Sequence, residues 1–556
     1  MKFNKSEILE SKAAVFFKKY WLYITVVAAV IIVAVSSVKL YREEVLDIDP
    51  NVQYETQNTL YFASAGIDTL NPIVSKSEDT YYISKLIYNS LFDYDENLGA
   101  VCELAESYSV DTEKAYIDIK LKDGIKWQDG TQLTAKDVSF TVDAIQSYGS
   151  GGIYYKQASK IYSVNVKDSL NLRIYFRNNY NCSLDDLTFP ILPSSKYSYS
   201  GKLISDTDGF IPMGTGQYKY SSYQPSKELS LVPNEGYYST KASNNIIFTI
   251  LPSKDYASNM MEIQTVSCYA DKSSQRKSLV ADKELTTYNV VSNDVDFMVF
   301  NTSKKIFKNS AMRQAVCYAM DYNEILKSGY MEDGVLSDTL YYPGFLGTAE
   351  DSRYYEGDRE KARELLKDEG YQDKDLNGRL EDEEGNDIDQ IVILVNSNNA
   401  NRIAAAKILE NDLEEVGFSV VTHSVSWDEY NSRIKAKDFD ILLTGYEIEA
   451  SYDLREFFNG KNPWGYMNTE ILSKVQELDR IHIAEEYKEA FKEIKELMLE
   501  DATYSVLCYK YMGMVCVNSF EMPQLPMFND IYKNCYTWSW KKEIKTEKAE
   551  DSDKSE

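Results

Sequence analysis

Few places in this chain could do chemistry, and the clearest is an acidic run. Asp373-Lys374-Asp375-Leu376-Asn377-Gly378-Arg379-Leu380-Glu381-Asp382-Glu383-Glu384 fits the pattern D-x-[DN]-x-[DN]-G-x5-E. Oxygens from Asp373, Asp375, Asn377 and Glu384, with the backbone carbonyl of Arg379, suit a hard cation such as Ca²⁺. A helix is expected before the loop and a strand after it, so this is no paired EF-hand, and a bound ion would be structural. The other reading is an acidic surface loop. Catalytic constellations are missing from the inventory. The two histidines, His423 and His482, belong to no HExxH, sit beside no GxSxG serine, and read as surface or satisfied imidazoles. Gly214-Thr215-Gly216 extends to neither GxGxxG nor GxxxxGK, which disfavours a nucleotide loop. An enzyme is not expected. The seven cysteines form no CxxC pair, and an odd number leaves at least one unpaired in the monomer. Cys508 and Cys516 are near in sequence without proving a bridge, and most of the seven read as buried thiols.

The elements that would hold such residues are organised around 116–145. Ile117, Ile119 and Leu121 alternate with Tyr116, Asp118 and Lys120, the period-two pattern of a half-buried strand. Two turns follow at Asp123-Gly124 and Asp129-Gly130, with Ile125 and Trp127 between them. Thr134 then stands as an N-cap with Asp137 three residues on, and Val138, Val142 and Ile145 supply the helix's apolar stripe.

At 556 residues the chain exceeds one hydrophobic core, which stops growing near ~250–300 residues, so two lobes are expected. Its 60 basic and 87 acidic residues give a net charge of −27, which disfavours nucleic acid as a partner. The 45 tyrosines suit recognition surfaces, each pairing an apolar face with a polar tip. The stretch 21–38 carries no charge and as a helix would span ~27 Å, close to a ~30 Å hydrocarbon core. Lys12, Lys18 and Lys19 precede it, with Tyr20, Trp21 and Tyr23 at its entry. A single-pass anchor over 20–40 with a cytoplasmic N-terminus is therefore expected, and a cleaved secretory signal is the competing reading.

The ordered set Lys122-Asp123-Gly124-Ile125-Lys126-Trp127, Asp129-Gly130-Thr131 and Ala135-Lys136-Asp137-Val138 resembles the signature of the peptide/nickel-type extracellular solute-binding proteins of ABC importers. Further stretches share the likeness: Thr69-Leu70-Asn71-Pro72, Leu104-Ala105-Glu106-Ser107-Tyr108, Gly214-Thr215-Gly216-Gln217-Tyr218, and Phe300-Asn301-Thr302 with Arg313-Gln314-Ala315 and Ala319-Met320-Asp321. An amphipathic helix over 358–371, with Ala362, Leu365 and Leu366 inward and Gly370 as its stop, resembles the family's second lobe, and Ser310 is expected to cap the helix carrying Met312, Ala315, Val316 and Ala319. No lipidation cysteine follows the apolar run, since the first is Cys102.

The resemblance implies a two-lobe, periplasmic-binding-protein-like α/β fold with a hinge and an interlobe cleft. Strands alternating with helices in the second half suggest a mainly parallel sheet. Lobe I is expected over 58–300 with a subdomain at about 85–212, lobe II over 301–514, a return at 515–540 and a disordered tail from 541. The resemblance places one hinge near Asn301, which is counted with the ligand-binding residues. It also implies that a carboxylate after a Gly-Tyr pair meets a peptide's α-amine. In Gly445-Tyr446-Glu447-Ile448-Glu449 that residue is Glu449, with Asp453 matching an Asp-Pro aspartate whose proline is here Leu454. Tyr446, Trp464, Tyr81 and Tyr82 are aromatic candidates for the cleft. The scarcity of histidine argues against nickel or haem as cargo. The expected function is capture of oligopeptides and delivery to an ABC permease at the membrane. The same fold binding an oligosaccharide, or acting as an anchored sensor, are the alternatives.

Overall fold

The computed structural model describes residues 58–541 apart from 178–181, 198–199, 206–208, 274–275, 284, 349–353, 479–480 and 482–483. The expected anchor at 20–40, residues 41–57 after it, His482 and residues 542–556 of the expected tail lie outside the described residues. Among the described residues no helix is long and apolar enough to cross a membrane.

The strands used below are β1 (Thr59–Ser64), β2 (Ala105–Asp111), β3 (Tyr116–Leu121), β4 (Ile161–Val166), β5 (Asn171–Phe176), β6 (Tyr218–Gln224) and β7 (Glu228–Pro233). They continue as β8 (Asn245–Ile250), β9 (Cys268–Asp271), β10 (Leu285–Phe300), β11 (Ile391–Asn396), β12 (Val420–Val425), β13 (Ile441–Glu447) and β14 (Tyr504–Val517). The helices are α1 (Glu78–Ile87), α2 (Ala135–Tyr148), α3 (Ser310–Ala319), α4 (Arg359–Asp368) and α5 (Ala400–Glu415).

Local sequence explains the 116–145 unit. In β3 the alternating Ile117, Ile119 and Leu121 are all buried, and the strand sits inside the four-stranded antiparallel sheet β2-β3-β5-β4. At the start of α2 the Asp137 carboxylate accepts the Thr134 N–H at 2.7 Å. Its other oxygen accepts the Ser194 N–H and hydroxyl at 2.7 and 2.6 Å, tying the helix start to a distant segment. Gly214 and Gly216 have a different reason to lack a side chain: a Cβ at either would collide with the backbone of Ile87, so close approach requires them. Helix α3 is capped by Asn309, whose side chain accepts the Ala311 N–H at 3.0 Å. Ser310 is the first helical residue rather than the expected cap.

The large sheet runs β12-β11-β13-β10-β14-β9-β1-β8-β7-β6. It is mixed as a whole, although the strands of the expected alternation, β11, β12 and β13, do pair parallel. β11 pairs parallel with β12 and β13, and β1 parallel with β8 and β9. β10 runs antiparallel to β13 and β14, and β14 antiparallel to β9. The long strands β10 and β14 are shared by two core bodies, because they are long enough to cross from one to the other. Val290, Met512 and Met514 pack in one core, whose body is called lobe I below, the bodies around the other two cores being called lobe II. Farther along, Met298, Phe300, Leu507 and Cys508 face one lobe II core, while Val295, Phe297 and Val299 face another. β11 and β13 split the same way, Ile393 and Ile441 against Leu394 and Leu442. Period-two alternation thus fills both faces, which is why the run at 391–395 is continuously apolar.

The crossing falls at a register break, ahead of Asn301. Val291 pairs with Tyr511 and Val295 with Tyr509, so 292–294 bulge opposite Lys510. The Ser292 hydroxyl donates to the Lys510 carbonyl at 2.8 Å and accepts the Asp294 N–H at 3.1 Å, satisfying backbone groups that the ladder leaves unpaired. Just beyond lies a buried ion cluster. The fully enclosed Asp296 accepts from Arg402 of α5 at 2.7 Å and from the Tyr330 hydroxyl at 3.0 Å, and pairs with Lys510 at 3.0 Å. Lys510 also reaches Asp294 at 3.0 Å. A Cβ on Gly445 of β13 would overlap both the Arg402 guanidinium and the Asp296 carboxylate.

Gly445→Ala therefore separates the Asp296–Arg402 pair within a closed core. Splitting a buried pair costs about 3–5 kcal/mol, and a loss of that size is expected in the urea unfolding free energy. A loss under about 1 kcal/mol, the range of exposed pairs, would show that the cluster accommodates the methyl group.

Candidate ligand-binding cleft

Helix α1 begins where the Ser77 hydroxyl accepts the Thr80 N–H at 3.2 Å, and it carries Tyr81 and Tyr82. The Tyr82 hydroxyl lies 3.0 Å from the Phe528 carbonyl and 3.1 Å from Glu78. The Tyr81 ring packs edge-on against Tyr82 at 5.2 Å and lies 6.3 Å from Tyr154. Burial pushes the Tyr82 and Tyr154 hydroxyls far above their ordinary pKa, so both stay neutral. From lobe II, β13 ends at Glu447 and the chain turns at once. The Ile448 N–H donates to the Asn293 carbonyl at 3.0 Å and the Asn293 side chain donates back to the Ile448 carbonyl at 2.9 Å. Glu449 is thus held at the crossing bulge.

These segments line one cleft of about 790 Å³, drawn from both lobes. The volume is that of a site for a small organic guest, in the ~300–1,000 Å³ range. Charge is arranged across it. The Lys156 ammonium of lobe I lies 2.7 Å from each oxygen of Glu449. Lys272 of lobe I lies 3.5 Å from Glu447 and 3.6 Å from Glu78. Asp453 is held by Arg455, whose Nε donates to its Oδ1 at 2.6 Å. Partial enclosure alone would raise the Asp453 pKa, but Arg455 outweighs it and holds the carboxyl below the usual range.

Tyr81, Tyr82, Glu449 and Asp453 are therefore gathered in the cleft wall. Three expected residues are not. The Trp464 indole donates to the Tyr504 hydroxyl at 2.7 Å and packs on Phe297 and Phe457 in the lobe II core. Tyr446 donates to Glu456 at 2.8 Å outside the cleft, and its hydroxyl pKa is pushed up to about 12 by burial and that carboxylate. The Asn301 amide is spent on the Lys437 and Phe439 carbonyls at 3.0 and 2.8 Å, a brace at the end of β10. Lys156, Lys272 and Asn293 were not expected. Lys156 follows Tyr154-Tyr155 in an aromatic stretch, the one local hint of a binding surface.

The acidic loop closes on its own backbone. The Asn377 N–H donates to Asp373 and Asp375 at 3.1 and 3.0 Å, the Gly378 N–H to Asp373 at 3.0 Å, and the Arg379 N–H to the Asn377 side chain at 2.8 Å. Glu384 belongs to the next turn, closed by the Gly385 N–H on the Asp382 carbonyl at 3.0 Å. The buried Glu381 instead turns inward to the Lys374 N–H at 2.8 Å. Among the described residues no three carboxylate, imidazole or thiol side chains are placed to hold a metal ion. Asp373, Asp375 and Asn377 are drawn together on the Asn377 and Gly378 amides, while Glu384 belongs to the following turn.

A family model for the bacterial extracellular solute-binding proteins, family 5, matches residues 100–464. The chain belongs to that family. As a family 5 protein it is a non-enzymatic, extracytoplasmic solute-binding component of transport. It is similar to the oligopeptide-binding protein AppA of Bacillus subtilis, 24% identical over 501 residues, covering 86% of this chain and 91% of the relative. It is also similar to the dipeptide-binding protein of Escherichia coli, 26% identical over 417 residues, covering 70% and 76%. The solved structure of B. subtilis AppA with a nonapeptide shares the fold, with a TM-score of 0.54 and 21% identity over 88% of this chain and 100% of that one.

Because no three ligating side chains are gathered there among the described residues, calcium and chelator should give melting temperatures within about 1 °C of one another for this solute-binding protein. A rise of several degrees with calcium that Asp375→Asn removes would restore the cage reading.

Proposed function

We propose that this solute-binding protein captures short peptides in the cleft by closing its two lobes and delivers them to an ABC permease. The observation that carries the reading is the Lys156 ammonium resting 2.7 Å from both Glu449 oxygens across the cleft. An ammonium on one lobe meeting a carboxylate on the other is the contact a peptide's α-amine would make. A guest that touches both walls only when they meet shifts the population toward the closed state. The printed names of the relatives support peptides as the class: an oligopeptide-binding protein and a dipeptide-binding protein. Tyr81, Tyr82 and Tyr154 supply apolar faces that do not discriminate among side chains. The uncharged stretch 21–38 would tether the protein to the cell membrane, keeping the binding lobes outside.

Calorimetry with a mixed panel of short peptides tests this. Glu449→Gln keeps the shape and removes the charge, and is expected to weaken free-amine peptides about 10- to 100-fold, the value of a charged hydrogen bond. Lys156→Met removes the internal competitor and is expected to tighten the same peptides about two- to five-fold, since exposed pairs contribute little. N-acetylated peptides binding as tightly as free ones would remove Glu449 from the amine role. Glycans carried through purification, with no peptide bound, would turn the cleft over to sugars.

A further inference from the structure

Strands β9 and β14 lie side by side, and most of lobe II is made by the chain between them. Cys268 and Cys516 face each other in that antiparallel pair, 248 positions apart in sequence. The Val517 N–H donates to the Ser267 carbonyl at 3.0 Å. That bond makes Cys268–Cys516 a non-hydrogen-bonded pair, in which Cα atoms approach to ~4.5 Å, inside the ~4.4–6.8 Å span of disulfides. Their sulfurs lie 2.7 Å apart, and neither residue is exposed. Cys508, the neighbour in sequence, is on the same extended strand as Cys516. At ~3.3 Å per residue the two are about 26 Å apart, out of bridging reach. Cys508 turns its thiol to the Tyr509 carbonyl at 3.4 Å instead.

We propose that Cys268 and Cys516 form a disulfide in the exported protein, a covalent staple at the root of lobe II. An extracytoplasmic protein folds where disulfides form and persist. Two S–H bonds break and one S–S bond forms, while two protons and two electrons pass to a low-molecular-weight disulfide that leaves as two thiols. Both sulfurs are sealed in the folded chain, so exchange occurs as β9 docks on β14. The bridge closes a loop holding most of lobe II, and closing long loops removes the most freedom from the unfolded chain. It joins β9 to β14 on the lobe I side of the 292–294 bulge and leaves the crossing itself unbridged.

Full-length protein isolated after export, denatured without reductant and treated with iodoacetamide, is expected to label all but two of its seven cysteines. A linked peptide pair should map to Cys268 and Cys516, and prior reduction should expose all seven. Reductant should lower the melting temperature of the parent protein by about 4 °C, and Cys268→Ala should abolish that sensitivity. Seven labelled thiols without reductant, a bridge to any other cysteine, or melting indifferent to reductant would each overturn the proposal.

Discussion

A carboxylate with no exposure has to be matched or it unfolds its surroundings, and Asp296 is that carboxylate here. Burying a charge costs several kcal/mol even after relaxation. Burial alone would push the Asp296 pKa up, yet Arg402 and Lys510 hold it below the usual carboxylate range. For its neighbour Asp294 the balance goes the other way, and burial wins. Asp296 therefore keeps a negative charge that must be met from three directions: α5 through Arg402, β14 through Lys510, and the turn at Tyr330. Lobe II is fastened to the crossing strands by this demand. Gly445 is bare because no Cβ fits between the two charges.

The cleft inherits its geometry from the same place. Gly445 stands two residues before Glu447, where β13 gives out, and the chain then meets Asn293 of the bulge through two hydrogen bonds. Glu449 is one residue beyond that clamp. An exposed carboxylate on a loop ordinarily samples many positions, but this one is set by bonds running back to a buried charge. Its backbone is tied to the crossing through Ile448 and Asn293, and only the Glu449 side chain extends from that clamp.

Local features were legible in the sequence, and pairing partners were not. The β3–α2 unit follows from alternation, Asp-Gly turns and a capping pair within thirty-odd positions, so near neighbours decide it. The Gly214/Gly216 approach depends on Ile87, more than a hundred positions away, which the local sequence does not encode. The antiparallel pairing of β10 with β14 joins residues more than two hundred positions apart, and no local pattern encodes it. Alternating strands and helices therefore suggested too parallel a sheet. The crossing left a trace that was missed, since Ser292-Asn293-Asp294 are turn formers inside an otherwise β-forming run. Aromatic type alone could not separate Trp464 in the core from Tyr81 in the cleft, because both uses want the same ring. The acidic loop matches a metal pattern residue by residue, and the second turn from Asp382 to Gly385 is a further local feature that the pattern does not encode.

The contrast between the two kinds of ion pair suits the proposed closing of the cleft on a guest. Arg402–Asp296 is enclosed, so water has little access to replace either partner. Lys156–Glu449 is about two-thirds exposed on both sides, and such pairs contribute ~0–1 kcal/mol and are screened by salt. A cleft sealed by buried pairs would stay shut without a guest, while one with no pairs across it would have nothing to align its walls. Weak, exposed pairs between Lys156 or Lys272 and the two glutamates orient the lobes at little energetic cost. The larger stabilisation is left for whatever fills the space between them. The division of labour follows from solvent access alone: strong where water is excluded, exchangeable where a guest must compete.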